Sequence, residues 1–168
     1  KGNTVLLNGM KGEVISALGS GNFADVYQVK LPSCQVAPKV FRSPKKDRVD
    51  DRHRARLLRM IRQKPPSGSF IWPKAIVDMP DGKLAYVMPL VPQGFYSLEK
   101  LFFDIGVPMT GRLKMMVSLC GAFQALHKQN KAYVDLSLTN IFASPDQYSV
   151  LLIDCESIID AGESNSIL

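Results

Sequence analysis

No hydrophobic run in this chain approaches the roughly 18 residues of a membrane span, so a membrane partner is not expected. The first residues lack the charged, apolar and small-residue succession of a secretory signal. Cysteine is scarce: Cys34, Cys120 and Cys155 are odd in number, widely separated and without a C-x-x-C pair. That pattern argues against a disulfide framework or zinc site and points to reduced thiols in a cytoplasmic protein. Internal repeats, heptad runs and low-complexity tracts are absent too. What is present suits one domain, or two small lobes sharing a cleft: 168 residues, 46% of them hydrophobic. With 21 basic residues against 15 acidic, the net charge of +6 favours acidic partners such as phosphates or nucleic acid.

Chemistry-bearing residues concentrate in Tyr133-Val134-Asp135-Leu136-Ser137-Leu138-Thr139-Asn140-Ile141-Phe142 and in Leu151-Leu152-Ile153-Asp154. Asp135 is placed to accept a proton from an attacking hydroxyl. Asn140, five residues on, and Asp154, closing the next apolar strand, offer hard oxygen ligands for Mg²⁺ held against nucleotide phosphates. Taken alone, D-L-S-L-T-N also suits a polar turn joining a helix to a hairpin.

Upstream, residues 1–18 read as an extended lead-in and first strand, with Val14, Ile15 and Leu18 as its apolar members. Gly19-Ser20-Gly21-Asn22-Phe23-Ala24 then forms a hairpin turn, either an ordinary glycine-rich one or one whose N–H groups approach phosphate. The strand Val36-Ala37-Pro38-Lys39-Val40 follows; Pro38 lacks a ladder donor and suits an edge or bulge. Residues 42–64 hold ten of the basic residues, and from about Asp47 the apolar spacing of Val49, His53, Leu57, Met60 and Ile61 predicts a helix ended by Pro65-Pro66. Strands are expected at Ile71–Val77, where Trp72 packs in the core, and at Leu84–Met88, joined by an Asp81-Gly82 turn. A short helix capped by Ser97 precedes a long one, Thr110 to Gln129, whose stripe of Leu113, Met116, Val117, Cys120, Phe123 and Leu126 is expected to be core. Pro145-Asp146-Gln147 turns the last hairpin.

In order and spacing these segments resemble protein kinases over roughly residues 12–160: a glycine loop, a V-A-I-K-like strand, H-R-D-x-x-x-x-N at Tyr133–Asn140 and D-F-G at Asp154-Cys155-Glu156. The resemblance implies an α+β, two-lobed fold, with a sheet and C helix in residues 1–90 and a partial helical lobe in 91–168. It implies ATP and Mg²⁺ as cofactors, and a nucleotide and a protein substrate as partners. Gly19, Ser20, Gly21, Asn22, Phe23 and Ala24 would cover the phosphates that Lys39 clamps. Val26 and Ala37 would lie above adenine, Met88 behind it, and Phe142 below. Leu90 and Val91 would offer hinge N–H groups, the prolines on either side having none. Asp135 would be the base, and Ser137 would stand in the place of the usual lysine. Asn140 and Asp154 would hold the metal. Y-V-D-L-S-L-T-N-I-F and L-I-D-C-E-S look most like bacterial serine/threonine-type kinases fused to helix-hairpin-helix segments.

Several positions depart from the family. Tyr133 and Val134 replace His and Arg, so control through that arginine is not expected. Cys155-Glu156 replaces the Phe-Gly hinge. The chain stops at Leu168 without A-P-E, which reads as a fragment or a very reduced kinase-like domain. No acidic residue of the basic helix falls in a good register to pair with Lys39, which predicts a helix rotated or displaced from the cleft and a lysine paired with Asp154 or phosphate; the alternative is Asp50 or Asp51 reaching in through a distorted first turn. Three other functions fit: a pseudokinase serving as a nucleotide-binding or interaction module, a small-molecule phosphotransferase, and a nucleic-acid or acidic-protein binder using residues 42–64.

Overall fold

The structure, a computed structural model, describes residues 4–44 and 48–162, without the side chains of residues 43, 44 and 48–50. Lys45, Lys46 and Asp47 of the basic segment therefore lie outside the described residues, as do the side chains of Arg48, Val49 and Asp50. The chain divides into two compact units, residues 1–64 with 72–90, and residues 65–71 with 91–168.

The first unit is a six-stranded antiparallel sheet in the order β1-β2-β3-β4-β6-β5. Its strands are β1 (Thr4–Leu7), β2 (Met10–Ser20), β3 (Ala24–Lys30), β4 (Gln35–Pro44), β5 (Ala75–Asp78) and β6 (Lys83–Met88). The expected single lead-in strand is in fact a hairpin. Asn8 and Gly9 adopt left-handed φ of 50° and 81°, the conformation an Asn-Gly turn between apolar runs favours. The Asn8 side chain then donates to the Ile76 carbonyl at 2.8 Å, drawing the β1–β2 turn toward β5, so the sheet curls.

Strand alternation divides the sheet's side chains between two faces. One face buries Val29, Val77 and Ala85 with Leu7 and Leu31, packed round by Val36, Val40 and Val87. Helix α1 (Arg48–Arg62) lies against the other. It buries Leu57 completely and Met60 nearly so, and seats the His53 ring 4.6 Å from Phe41. The helix is therefore docked on the sheet and presents His53 at that contact. Buried Trp72 donates its indole N–H at 2.8 Å to the Met60 carbonyl, a helix-end acceptor that also takes the Gln63 N–H at 2.9 Å. Strand β5 begins at Ala75, not at Ile71.

Pro38 corrects a second expectation, because β4 is an interior strand flanked by β3 and β6. The β3–β4 register runs Val26↔Lys39 and then Val29↔Val36, leaving two rungs unmade, at Pro38, which has no N–H to give, and at Ala37 beside it.

In the second unit, β7 (Tyr96–Ser97) leads into helix α2 (Leu98–Lys100), where the Ser97 hydroxyl accepts the Lys100 N–H at 3.2 Å as a cap. A π-turn over Leu101–Ile105 and helix α3 (Met109–His127) follow. Strands β8 (Lys131–Tyr133), β9 (Ile141–Ala143), β10 (Val150–Leu152) and β11 (Ile158–Asp160) complete it, with β9 between β7 and β10 and β8 paired to β11. Residues 69–71 join this unit through Leu152, whose N–H donates to Ser69 and whose carbonyl accepts from Ile71.

Helix α3 overturns the expected core stripe. Leu113, Met116, Val117 and Cys120 are exposed, Phe123 is half-buried, and only Leu126 of that stripe is buried. The inward face is Gly111, Met115, Ala122 and Leu126. Apolar residues run right round this helix, so periodicity alone does not choose a face. Small residues decide it: a Cβ on Gly111 would stand 2.9 Å from both the Tyr148 ring and Val107.

Candidate active site

In the first unit, register places the expected nucleotide residues on one face. Val26 sits opposite Lys39, Lys39 opposite Tyr86, and Ala37 opposite Met88, and Ala37 and Lys39 are two apart on β4. Ala37 and Met88 are buried, so the apolar floor is built into the sheet. Gly19 pairs with Val26, and Ser20 with Asp25, as the last rungs before the turn. The turn itself, Gly21-Asn22-Phe23, closes with Gly21 N–H donating to the Ala24 carbonyl at 2.9 Å. Phe23 projects from its tip, 82% exposed. Leu90 follows β6, half-buried.

Around this turn lies a side-chain network that sequence inspection missed. Arg42 donates from Nη2 to Asp25 Oδ1 at 2.7 Å and to Ser20 Oγ at 2.6 Å, and from Nε to Asp25 Oδ2 at 3.2 Å. The Ser20 hydroxyl donates in turn to Asp25 at 2.8 Å. The Arg42 guanidinium and then the Ser20 hydroxyl hold the Asp25 carboxyl down at about 2.

In the second unit, hydrogen bonds link Asn140 to Asp135 on one side and to Ile153, the residue before Asp154, on the other. Asn140 is buried, and its Nδ2 donates at 3.0 Å to both the Asp135 carbonyl and the Asp135 carboxylate. Its carbonyl accepts the Ile153 N–H at 3.0 Å, next to Asp154. Ser137 accepts the Asn140 N–H through both its carbonyl and its hydroxyl, and the hydroxyl also meets Thr139 at 2.9 Å, so Ser137 shapes this loop. Asp135 itself is exposed. Val91 and Phe142 are half-buried in this unit; Phe142 lies on β9, paired with Leu151 and Ser97.

Two further features fix Asp154. Its backbone is left-handed, φ 52° and ψ 41°, and the Ser157 hydroxyl and N–H both donate to its carbonyl. The residue before it is tied from below, where the Tyr133 hydroxyl donates to the Ile153 carbonyl at 2.7 Å. Burial, and then the charges of Cys155, Asp154, Asp135 and Glu156, raise the Tyr133 phenol well above its ordinary range, so it stays a donor. A buried tyrosine needs a partner for its hydroxyl, and here the fold supplies one.

These residues fit a magnesium ion of a particular kind. Among the described residues, no three His, Cys, Asp or Glu side chains gather into a self-sufficient metal cage. Asn140 and Asp154 supply two hard oxygens, and with Nδ2 committed to Asp135 the amide would use Oδ1. Such a pair suits an ion that takes its remaining ligands from phosphates and water.

No family model matches the sequence, and no curated protein matches it. In structure it is similar to the crystal structure of the Mycobacterium tuberculosis PknI kinase domain, with a TM-score of 0.65 and 22% identity. That similarity covers 90% of this chain and 61% of the kinase domain, so the chain spans about three-fifths of that domain's length. The fold is protein-kinase-like: mixed α+β, with a curled antiparallel sheet and few helices.

Proposed function

We propose that the chain is an ATP- and Mg²⁺-dependent phosphotransferase domain of the serine/threonine protein-kinase type. The observation that carries this is the hydrogen-bonded set in the second unit: one buried amide, Asn140, bonds Asp135 with its side chain and the residue beside Asp154 with its main chain. Asp135 acts as base, Asn140 and Asp154 hold the metal, and Lys39 meets the nucleotide phosphates on a face floored by Ala37 and Met88. Phosphoryl transfer depends mainly on positioning and charge neutralisation, which is what such a set supplies. The motif strings favour the bacterial type fused to helix-hairpin-helix segments, and the scattered thiols a cytoplasmic setting. The basic segment 42–64 offers a surface for an acidic protein or nucleic acid. PknI is described as a kinase domain, which agrees with this reading.

The test is calorimetric titration with ATP, with Mg²⁺ and with chelator. Metal should tighten binding in the wild type and lose most of that effect in Asp154→Asn. Absence of metal dependence in the wild type would remove both ligands from the proposal. Asp135→Asn should spare ATP binding yet slow phosphoryl transfer to a protein acceptor by about 10²–10⁴-fold. Equal rates would discard Asp135 as base. Binding without transfer in either protein would favour the pseudokinase, the reading supported by Tyr133-Val134 and Cys155-Glu156.

A further inference from the structure

Arg42 stands three residues beyond Lys39 on β4 yet plays no part in the set above. By alternation along the strands, Asp25 opposes Val40 while Val26 opposes Lys39, so Asp25 and Val40 project from the face opposite Lys39. Arg42 reaches Asp25 and is therefore not a ligand for anything bound on the Lys39 face. What it holds is the turn. Its N–H donates to the Phe23 carbonyl at 2.9 Å, and its guanidinium spans Ser20 and Asp25, the last rung before the turn. Both ends and one inner carbonyl of the glycine-rich hairpin are thus fastened to the strand that carries Lys39.

We propose that Arg42 is a positioning residue that locks the glycine-rich hairpin to the Lys39 strand, so that lid and phosphate-binding lysine present themselves to a nucleoside triphosphate as one preformed unit. This rests on the nucleotide-binding function proposed above and adds what sets the lid's geometry. Glycines at 19 and 21 leave the hairpin many backbone states, and binding in any one of them costs the entropy of choosing it. A planar guanidinium making two carboxylate contacts and one hydroxyl contact removes most of that choice beforehand. Because the network is partly exposed, with Arg42 at 47% and Asp25 at 27% side-chain exposure, salt should weaken it.

Two readouts test this on the same protein: amide hydrogen exchange across residues 20–24 and 42 without nucleotide, and the affinity for a fluorescent ATP analogue with Mg²⁺. Arg42→Ala should speed exchange in the hairpin by about two- to fivefold, the range of an exposed ion pair, and weaken the analogue by a similar factor. Arg42→Lys, which keeps the charge but loses the fork, should recover only part of both. High salt should move hairpin exchange in the wild type toward that of Arg42→Ala and leave the variant's exchange unmoved. Unchanged exchange in Arg42→Ala overturns the clamp. Faster exchange with unchanged analogue affinity overturns its role in nucleotide binding. A wild type that never binds the analogue, while exchange still responds to Arg42→Ala, overturns the phosphotransferase proposal and not the clamp.

Discussion

Replacing Tyr133 with phenylalanine deletes one buried oxygen and leaves the ring where it is. The hydroxyl lost is the one that donates to the Ile153 carbonyl at 2.7 Å, from a side chain only 9% exposed. A typical intramolecular hydrogen bond contributes about 1 kcal/mol, and an acceptor left dry raises the cost, so about 1–2 kcal/mol is expected. For a chain of this size that lowers the melting temperature by about 3–6 °C, measurable by circular dichroism or calorimetry. The pH dependence carries a second signature. The folded phenol titrates above its ordinary value of 10.0, so its contribution is whole below that value. It is lost as pH rises further, because the unfolded chain sheds its phenolic proton first. The gap between wild type and Tyr133→Phe should therefore be constant through neutral pH and narrow in strong alkali. Since Ile153 precedes Asp154, the variant should also blunt the gain in ATP affinity from Mg²⁺. Melting within about 1 °C of wild type, together with an unaltered metal effect, would show that the hydroxyl holds nothing in place.

Gly12→Ala should destabilise the first unit by about 1–3 kcal/mol in a urea titration, because the new Cβ overpacks a filled core. It would lie 2.6 Å from Val29, which has no exposure, so a neutral effect would mean the sheet there is looser than described. Asp25→Asn should matter only where the carboxylate is charged. With the folded value depressed from 3.8 to about 2, the ion pair's contribution is whole above 3.8 and is lost as pH falls toward 2. The stability difference between wild type and Asp25→Asn should shrink across that window, and a constant difference would rule out the ion pair as its cause.

Legibility differed from element to element for physical reasons. The basic helix was readable because Leu57 and Met60 are apolar against a charged background, which leaves one face to bury. In α3 the background is apolar as well, and the choice of face fell to glycine and alanine, whose small size signals close approach but not direction. Pro38 misled because propensity treats a missing donor as an edge feature, whereas a two-rung gap in the ladder accommodates it between two strands. The positions of Asp135, Asn140 and Asp154 were legible as a motif. The bonds that orient them were not: the Tyr133 hydroxyl reaches the Ile153 carbonyl across a hairpin, and the Ser137 and Ser157 bonds, though local, depend on turn conformations that residue types do not specify.

The left-handed backbone of Asp154 narrows what that position can become. Glycine adopts this conformation freely, and asparagine and aspartate tolerate it better than other side chains. An alanine there would combine the loss of a carboxylate with backbone strain of about 1–2 kcal/mol, overstating whatever the carboxylate itself contributes. Drift at this codon that spares the fold leads toward glycine or asparagine, and both surrender the negative charge. If the metal role proposed for Asp154 holds, residue 154 is thus a place where a lineage of such chains could give up the reaction while keeping this turn of the backbone.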